Sequence, residues 1–201
     1  MRSHPTPHEL RIIGGRWRSR RLQFPDAPGL RPTPDRVRET LFNWLAPTIS
    51  GARCLDLFAG SGALGLEALS RGAAEVVFVE QDRRVIKTLQ DNIHALQVAA
   101  DVHHSEALRW LAAQGDLGLQ RFDIILLDPP FGRNLLTLAC QHLVQNGWPP
   151  VSGRQVYLES ERDWPLQLPK DWRVLREKYA GAVAYRLIQA VHTSSSVAAA
   201  I

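Results

Sequence analysis

The chain has 201 residues, 45% of them hydrophobic and 22% charged, which is enough apolar material for one packed domain and too much for a chain disordered throughout. No apolar run approaches the roughly 20 residues needed to cross a bilayer, the opening MRSHPTPHEL has no signal-peptide core, and Cys54 and Cys140 both sit in apolar surroundings; the expectation is a soluble cytoplasmic protein with no membrane partner. The formal charge of +4 is unevenly divided, because residues 1–40 hold nine arginines against four acids and the remainder is slightly acidic.

In chain order, residues 1–9 read as a frayed end. LRIIGGRWRSRRLQF then has two short strand-like runs around Gly14 and Gly15, which predicts a basic hairpin. Such a hairpin beside a nearly neutral domain suits a projecting arm that holds a polyanion, with Arg11, Arg16, Arg18, Arg20 and Arg21 on phosphates and Trp17 stacking on a base or sugar. The plainer alternative is a solvated charged face. RPTPDRVRETLFNWLAPTI predicts a helix with Thr33 or Asp35 near its N-cap, Pro34 in its first turn, and Val37, Leu41 and Leu45 at helical spacing. Arg31, Arg36 and Arg38 belong to this segment and extend the positive charge, and Arg31 and Arg36 join the hairpin residues as candidate RNA contacts.

From Arg53 onward strand-like and helix-like runs alternate. RCLDLF, EVVFVE, DVHH and FDIILLD read as strands, and GALGLEALSRG, DRRVIKTLQDNIHALQ, SEALRWLAAQG and NLLTLACQHLVQNG as helices. That alternation predicts a parallel sheet covered on both faces. RQVYLES adds a strand, and WRVLREKYAG with AVAYRLIQAV forms a hairpin about Gly181, so an open α/β sheet should end in an antiparallel pair. The tail HTSSSVAAAI reads as disordered. His103 and His104 have no third ligand at metal spacing, and no metal is expected. Trp44, Trp110, Trp148, Trp164 and Trp172 lie in apolar contexts and are assigned to the core.

Gly60, Gly62 and Gly65 stand in G-x-G-x-x-G spacing between a strand and a helix, the spacing of a dinucleotide fingerprint. Two acids argue against a diphosphate: Asp56, four residues before the first glycine, and Glu80, followed by Asp82, at the end of the next strand. A cofactor with a cationic end and a ribose suits these charges better, and S-adenosylmethionine is such a molecule. DLFAGSGALGLEALSRGA indeed resembles the first motif of class I S-adenosylmethionine-dependent methyltransferases. The resemblance implies that Asp56, Phe58, Gly60, Ser61 and Gly62 border the methionine end and that Glu80 receives both ribose hydroxyls through its paired oxygens. It also implies that Glu106 meets the adenine amine, although an acid at a helix start equally suits the helix dipole.

LLDPPF puts an acid, two prolines and an aromatic ring at a strand end. Asp128-Pro129-Pro130-Phe131 resembles the D/N-P-P-F/Y/W tetrad of methyltransferases that alkylate an amine on a conjugated ring. The composition fits that chemistry. The amine lone pair is delocalised, so Asp128 and the Pro129 carbonyl must hold the nitrogen in line. The prolines fix the turn, and Phe131 stacks on an extruded base, a contact worth ~1–3 kcal/mol.

RIIGGRWRSRRL, RPTPDRVRETLFNWL, the glycine motif, DPPF, VYLESE and REKYAGAVAYRL together resemble the RsmD family of bacterial methyltransferases, over residues from about 10 to 190. The resemblance implies a Rossmann-like class I methyltransferase fold, an α/β architecture with a mostly parallel seven-stranded sheet, a C-terminal antiparallel hairpin and a small N-terminal β-hairpin extension. It implies three parts: residues 1–30 as the basic RNA-contacting extension, residues 31–191 as the S-adenosylmethionine-dependent domain, and residues 192–201 as a tail. The implied reaction is methylation of guanine N2 in 16S ribosomal RNA of the small ribosomal subunit, by a monomer needing no metal. Adenine-N6 methylation of DNA or RNA is the alternative, since the tetrad serves adenine as well.

Overall fold

The computed structural model describes residues 8–27, 30, 33–119, 121–132, 134–148 and 154–190. A short antiparallel hairpin comes first, β1 (His8–Arg11) and β2 (Arg21–Phe24), with a 3-10 turn at Gly15–Trp17 between the strands. After α1 (Asp35–Leu45) the alternation begins: β3 (Arg53–Asp56), α2 (Ala63–Ser70), β4 (Glu75–Glu80), α3 (Arg83–Ala95), β5 (Asp101–His104), α4 (Ala107–Ala112), α5 (Gly115–Gly118), β6 (Ile124–Leu127), α6 (Leu135–Gln145) and β7 (Gln155–Glu161). β8 (Trp172–Ala180) and β9 (Val183–Ala190) close the chain. The seven-stranded sheet runs β5-β4-β3-β6-β7-β9-β8, parallel from β5 to β7 and antiparallel at the β9 and β8 end. The sequence pattern anticipates every one of these strands; the single-turn α5 it does not.

Strand parity assigns each residue to a face. Cys54, Val76, Phe78, Ile124, Leu126 and Tyr157 point toward α1, α2, α3 and the hairpin. Leu55, Val77, Val79, Ile125, Leu127, Val156 and Leu158 point toward α4 and α6. Both faces are covered, which is why β6 reads as an unbroken apolar run. By the same parity Asp56, Glu80, Asp128 and Glu159 all belong to the α1–α3 face, each at the carboxyl end of its strand.

The hairpin is not the projecting arm expected. Leu10, Ile12, Leu22 and Phe24 are buried in the core it shares with α1, α2 and α3. Its turn is held by α2: the backbone N–H groups of Ile13 and Gly14 donate to Glu67 at 2.7 and 2.8 Å, that of Trp17 donates to the Ser70 hydroxyl at 3.0 Å, and that hydroxyl donates to the Gly14 carbonyl. Approach is so close that a Cβ on Gly15, whose φ is +75°, would lie 1.8 Å from the Ser70 carbonyl oxygen. Trp17 is 8% exposed within the same core. The expectation that it stacks on RNA is corrected accordingly: its ring completes the hairpin–α2 contact and is already covered.

Arg38 is also misread as part of a basic face. It is 1% exposed, donates to Asp35, to the carbonyls of Thr33 and Arg11, and faces Glu67 at 3.6 Å. The α1 N-cap position falls on Pro34 with no side-chain cap; Thr33, expected there, turns its hydroxyl elsewhere. Cys54 and Cys140 are buried free thiols. Trp110, Trp148 and Trp172 are core residues and Trp44 and Trp164 pack partly buried against the core. His103 and His104 are exposed, and no metal-ligating cluster occurs among the described residues. Arg31 and the tail 192–201 lie outside the described residues.

Candidate active site

The chain returns from β5 to lay β6 beside β3, so the sheet reverses its winding between those two strands, the place where open α/β sheets bind ligands. A cleft of about 920 Å³ opens there, at the carboxyl ends of β3, β4 and β6. Its wall includes Asp56, Phe58, Gly60, Ser61, Glu80 and Glu106 from the predicted cofactor set, and Asp128, Pro129, Pro130 and Phe131 from the predicted catalytic set. Gly62 is the exception. It is the left-handed N-cap of α2 (φ +78°), where a Cβ would come 2.4 Å from Leu89, so it shapes the turn without reaching the wall.

Asp56 is buried and accepts from the Gly65 N–H at 2.9 Å. Burial pushes its carboxyl up to about 7, against the pull of that N–H, and Asp128 and Glu80 push the same way. Gly65 lets the contact form, since a Cβ there would meet the Phe78 ring at 2.2 Å and Asp56 itself at 3.0 Å. Glu80 is fixed at both oxygens: one accepts from Gly60 N–H at 2.9 Å, the other from the N–H groups of Gln81 and Asp82, both at 2.8 Å. Oε2, with one N–H partner, retains accepting capacity toward the cleft, whereas Oε1 already takes two. Glu106 lines the wall but its two oxygens already accept from Leu108 and Arg109 N–H at 3.1 and 2.8 Å, so it is the N-cap of α4.

Six acids, Asp56, Glu80, Asp82, Glu106, Asp128 and Glu159, line the cleft, and no Lys, Arg or His does among the described residues. A wall of that sign repels a diphosphate and accommodates a cation. The acidic lining therefore fits S-adenosylmethionine, whose sulfonium and ammonium are positive.

At the tetrad, Asp128 follows the last residue of β6 and accepts from the Thr33 hydroxyl at 2.9 Å. Burial holds its carboxyl above the ordinary carboxylate range. Phe131 is 42% exposed, so its ring is available at the cleft rim rather than consumed by the core. Two further residues belong here that sequence reasoning had not placed in the site. Thr33 supplies the hydroxyl on Asp128. Glu159 of β7, buried beside it, accepts from the Tyr157 hydroxyl at 2.7 Å, and burial and the neighbouring Asp128 carboxylate push its carboxyl up. Thr33 stands between two prolines in RPTPD and Glu159 lies inside β7 in VYLESE, but neither stretch by itself points to the pairing with Asp128.

The arginines of the hairpin lie outside the cleft. Arg11 makes a two-point contact with Asp35, Arg20 donates to the Ala95 carbonyl at 2.8 Å, and Arg21 pairs with Glu9 at 2.9 Å. Arg16, Arg18 and Arg36 are exposed, and Arg16 lies over the Trp17 ring at 5.5 Å.

The family described as Conserved hypothetical protein 95 matches residues 10–189. The ribosomal RNA small subunit methyltransferase D of Escherichia coli strain K12 is 51% identical over 189 residues, 93% of either chain. Its counterpart from Haemophilus influenzae is 45% identical over 195 residues, 94% of this chain and 100% of its own. The solved structure of the candidate methyltransferase yhhF from Escherichia coli, 50% identical, superposes with a TM-score of 0.80 over 91% of this chain and 98% of that one.

Proposed function

We propose, from the premise that this chain belongs to the Conserved hypothetical protein 95 family and is a methyltransferase, that it methylates the exocyclic N2 amine of a guanine in 16S ribosomal RNA of the small subunit, assembled or assembling. The observation that carries the reading is the meeting of Asp128-Pro129-Pro130-Phe131 with Asp56 and Glu80 in one acidic cleft. S-adenosylmethionine would be held along Glu80 and the Gly60–Ser61 turn, would supply an electrophilic methyl group and would leave as S-adenosylhomocysteine. Every other requirement falls to the protein's own residues, the main-chain carbonyl of Pro129 included.

A guanine turned out of its stack meets Phe131 face-on. Its N2 amine donates one hydrogen to Asp128 and the other to the Pro129 carbonyl, which withdraws the lone pair from the ring and points it at the cofactor end of the cleft. Thr33 donates to Oδ2 of Asp128, which fixes the carboxylate rotamer and leaves Oδ1 for the amine. Methylation makes the nitrogen cationic and acidic, and Asp128, whose affinity for a proton is raised by burial, takes the proton and passes it to solvent.

Residues 1–30 act as the RNA-contacting extension and residues 31–191 as the catalytic domain, working as a monomer in the cytoplasm. Arg16, Arg18 and Arg36 are the exposed guanidiniums best placed for phosphates, since Arg11 and Arg21 already pair with Asp35 and Glu9. The test is transfer from methyl-labelled cofactor to purified small subunits, to protein-free ribosomal RNA and to duplex DNA, followed by digestion to nucleosides. Label in N2-methylguanosine from the subunits supports the proposal; label in N6-methyladenosine, or none in any RNA, overturns it.

A further inference from the structure

β6 and β7 pair in parallel with Leu127 opposite Leu158. The next residues in that register are Asp128 and Glu159, two acids side by side on one face of the sheet, on strands roughly 4.8 Å apart. Glu159 is 4% exposed, yet it lines both the main cleft and a recess of about 160 Å³ that lies on the other side of Pro129–Phe131. The groups that face it are Asp128 from β6, Thr33 from the segment before α1, Tyr157 on its own strand and Tyr185 opposite on β9. No cation lies within ion-pair distance of it among the described residues. A buried acid beside another acid, with no cation to offset either, is costly to the fold, and that cost marks a group set toward a ligand.

The ligand's chemistry follows from position. An amine held at Asp128 brings the neighbouring ring atom toward Glu159. In guanine the atom beside N2 is N1, which carries a hydrogen and donates. In adenine the atom beside the N6 amine is also N1, but it carries a lone pair. Burial beside Asp128 raises the Glu159 carboxyl to about 8 in the free protein; the N1–H of guanine favours its ionised form, which accepts from that donor and repels the N1 lone pair of adenine. We infer that Glu159 is the residue that selects guanine over adenine, accepting the N1–H while Asp128 and Pro129 hold N2, with Tyr157 occupying its Oε1 and fixing its orientation. This rests on the proposed guanine-N2 reaction and adds to it a determinant of base choice. Site-selective recognition of this kind discriminates strongly, because the wrong base leaves a buried polar group unpaired.

The test separates the two readings by using 2,6-diaminopurine, which keeps the N2 amine but replaces the N1–H with a lone pair. Small-subunit RNA is prepared with either guanine or 2,6-diaminopurine at the nucleotide that the wild-type protein methylates. Wild type is expected to prefer guanine by roughly ten- to hundredfold in kcat/KM. Glu159→Gln, whose amide can accept from guanine or donate to diaminopurine, is expected to bring that ratio near one. Glu159→Asp keeps the anion at shorter reach, so it should lose guanine activity without gaining diaminopurine activity; it serves if the glutamine variant does not fold. A purely structural Glu159 predicts lower activity on both bases at an unchanged ratio, and that result in either variant overturns the inference. Absence of guanine-N2 methylation by wild type would instead overturn the proposed function.

Discussion

Glu67→Gln should be among the most destabilising shape-preserving changes in the molecule, although Glu67 touches no part of the cleft. Its carboxylate is 0% exposed and receives the N–H groups of Ile13 and Gly14, the Arg71 guanidinium at 2.7 Å, and Arg38 at 3.6 Å. An amide has one accepting oxygen where the carboxylate has two, so one backbone N–H of the hairpin turn is left buried and unpaired, costing about 1–3 kcal/mol. The buried positive charge on Arg38 also loses a compensating anion, a change worth ~3–5 kcal/mol for a pair broken outright. Arg38 keeps Asp35, and Arg71 is free to turn toward solvent, so the lower ends apply and the sum is about 4 kcal/mol. For a chain of this length that lowers Tm by roughly 8–16 °C. Thermal and denaturant unfolding give the magnitude, and hydrogen exchange at Ile13 and Gly14 gives the location. A loss below about 1 kcal/mol with both amides still protected would refute the reading of α2 as the anchor of the hairpin.

Glu80→Ala should weaken S-adenosylmethionine binding by about 1.5–3 kcal/mol, the range for hydrogen bonds to a charged group, with calorimetry as the assay; unchanged affinity in a folded variant would remove Glu80 from the ribose site. Replacing Arg16, Arg18 and Arg36 together with alanine should leave Tm nearly unchanged while the slope of log affinity against log salt for RNA becomes shallower by up to ~0.7–0.9 for each phosphate the variant no longer neutralises. The Asp56 carboxyl, raised to about 7 in the free protein, predicts a pH effect on the cofactor. A bound cation favours the ionised form, so binding releases a proton near neutrality and affinity rises with pH up to about 7 and levels off above it. The same raised value means that the free protein loses stability from this group as pH climbs from the ordinary carboxylate range through 7, because the folded state holds the extra proton. Calorimetry in buffers of differing ionisation enthalpy measures the proton released, and uptake in place of release would contradict the assignment.

Much of the fold was legible because period is a direct consequence of burial. IILL and EVVFVE could hardly be other than strands buried on both faces, and VIKTLQDNIHAL repeats at helical spacing. The glycine turn and the tetrad were legible because their chemistry needs unusual residues at fixed spacing. Charge was the misleading signal. RIIGGRWRSRRL looks like a free arm when only its arginines are counted, but its apolar residues Ile12, Trp17 and Leu22 are what decide where the segment lies, and the anion that receives its backbone, Glu67, is more than fifty residues away. Arg38 was misread for the same reason: a cation looks solvent-bound until its distant partners are known. Thr33 and Glu159 escaped because each works through a neighbour on another element, and no local pattern records that pairing.

If the tetrad methylates guanine N2 in small-subunit RNA, mass mapping of that RNA from cells lacking this gene should show one guanine without its methyl mass. The wild-type gene should restore it, and a gene encoding Asp128→Ala should not, although the variant still binds S-adenosylmethionine. An unchanged small-subunit methylation map in the deletion, or restoration by Asp128→Ala at the wild-type level, would contradict that assignment.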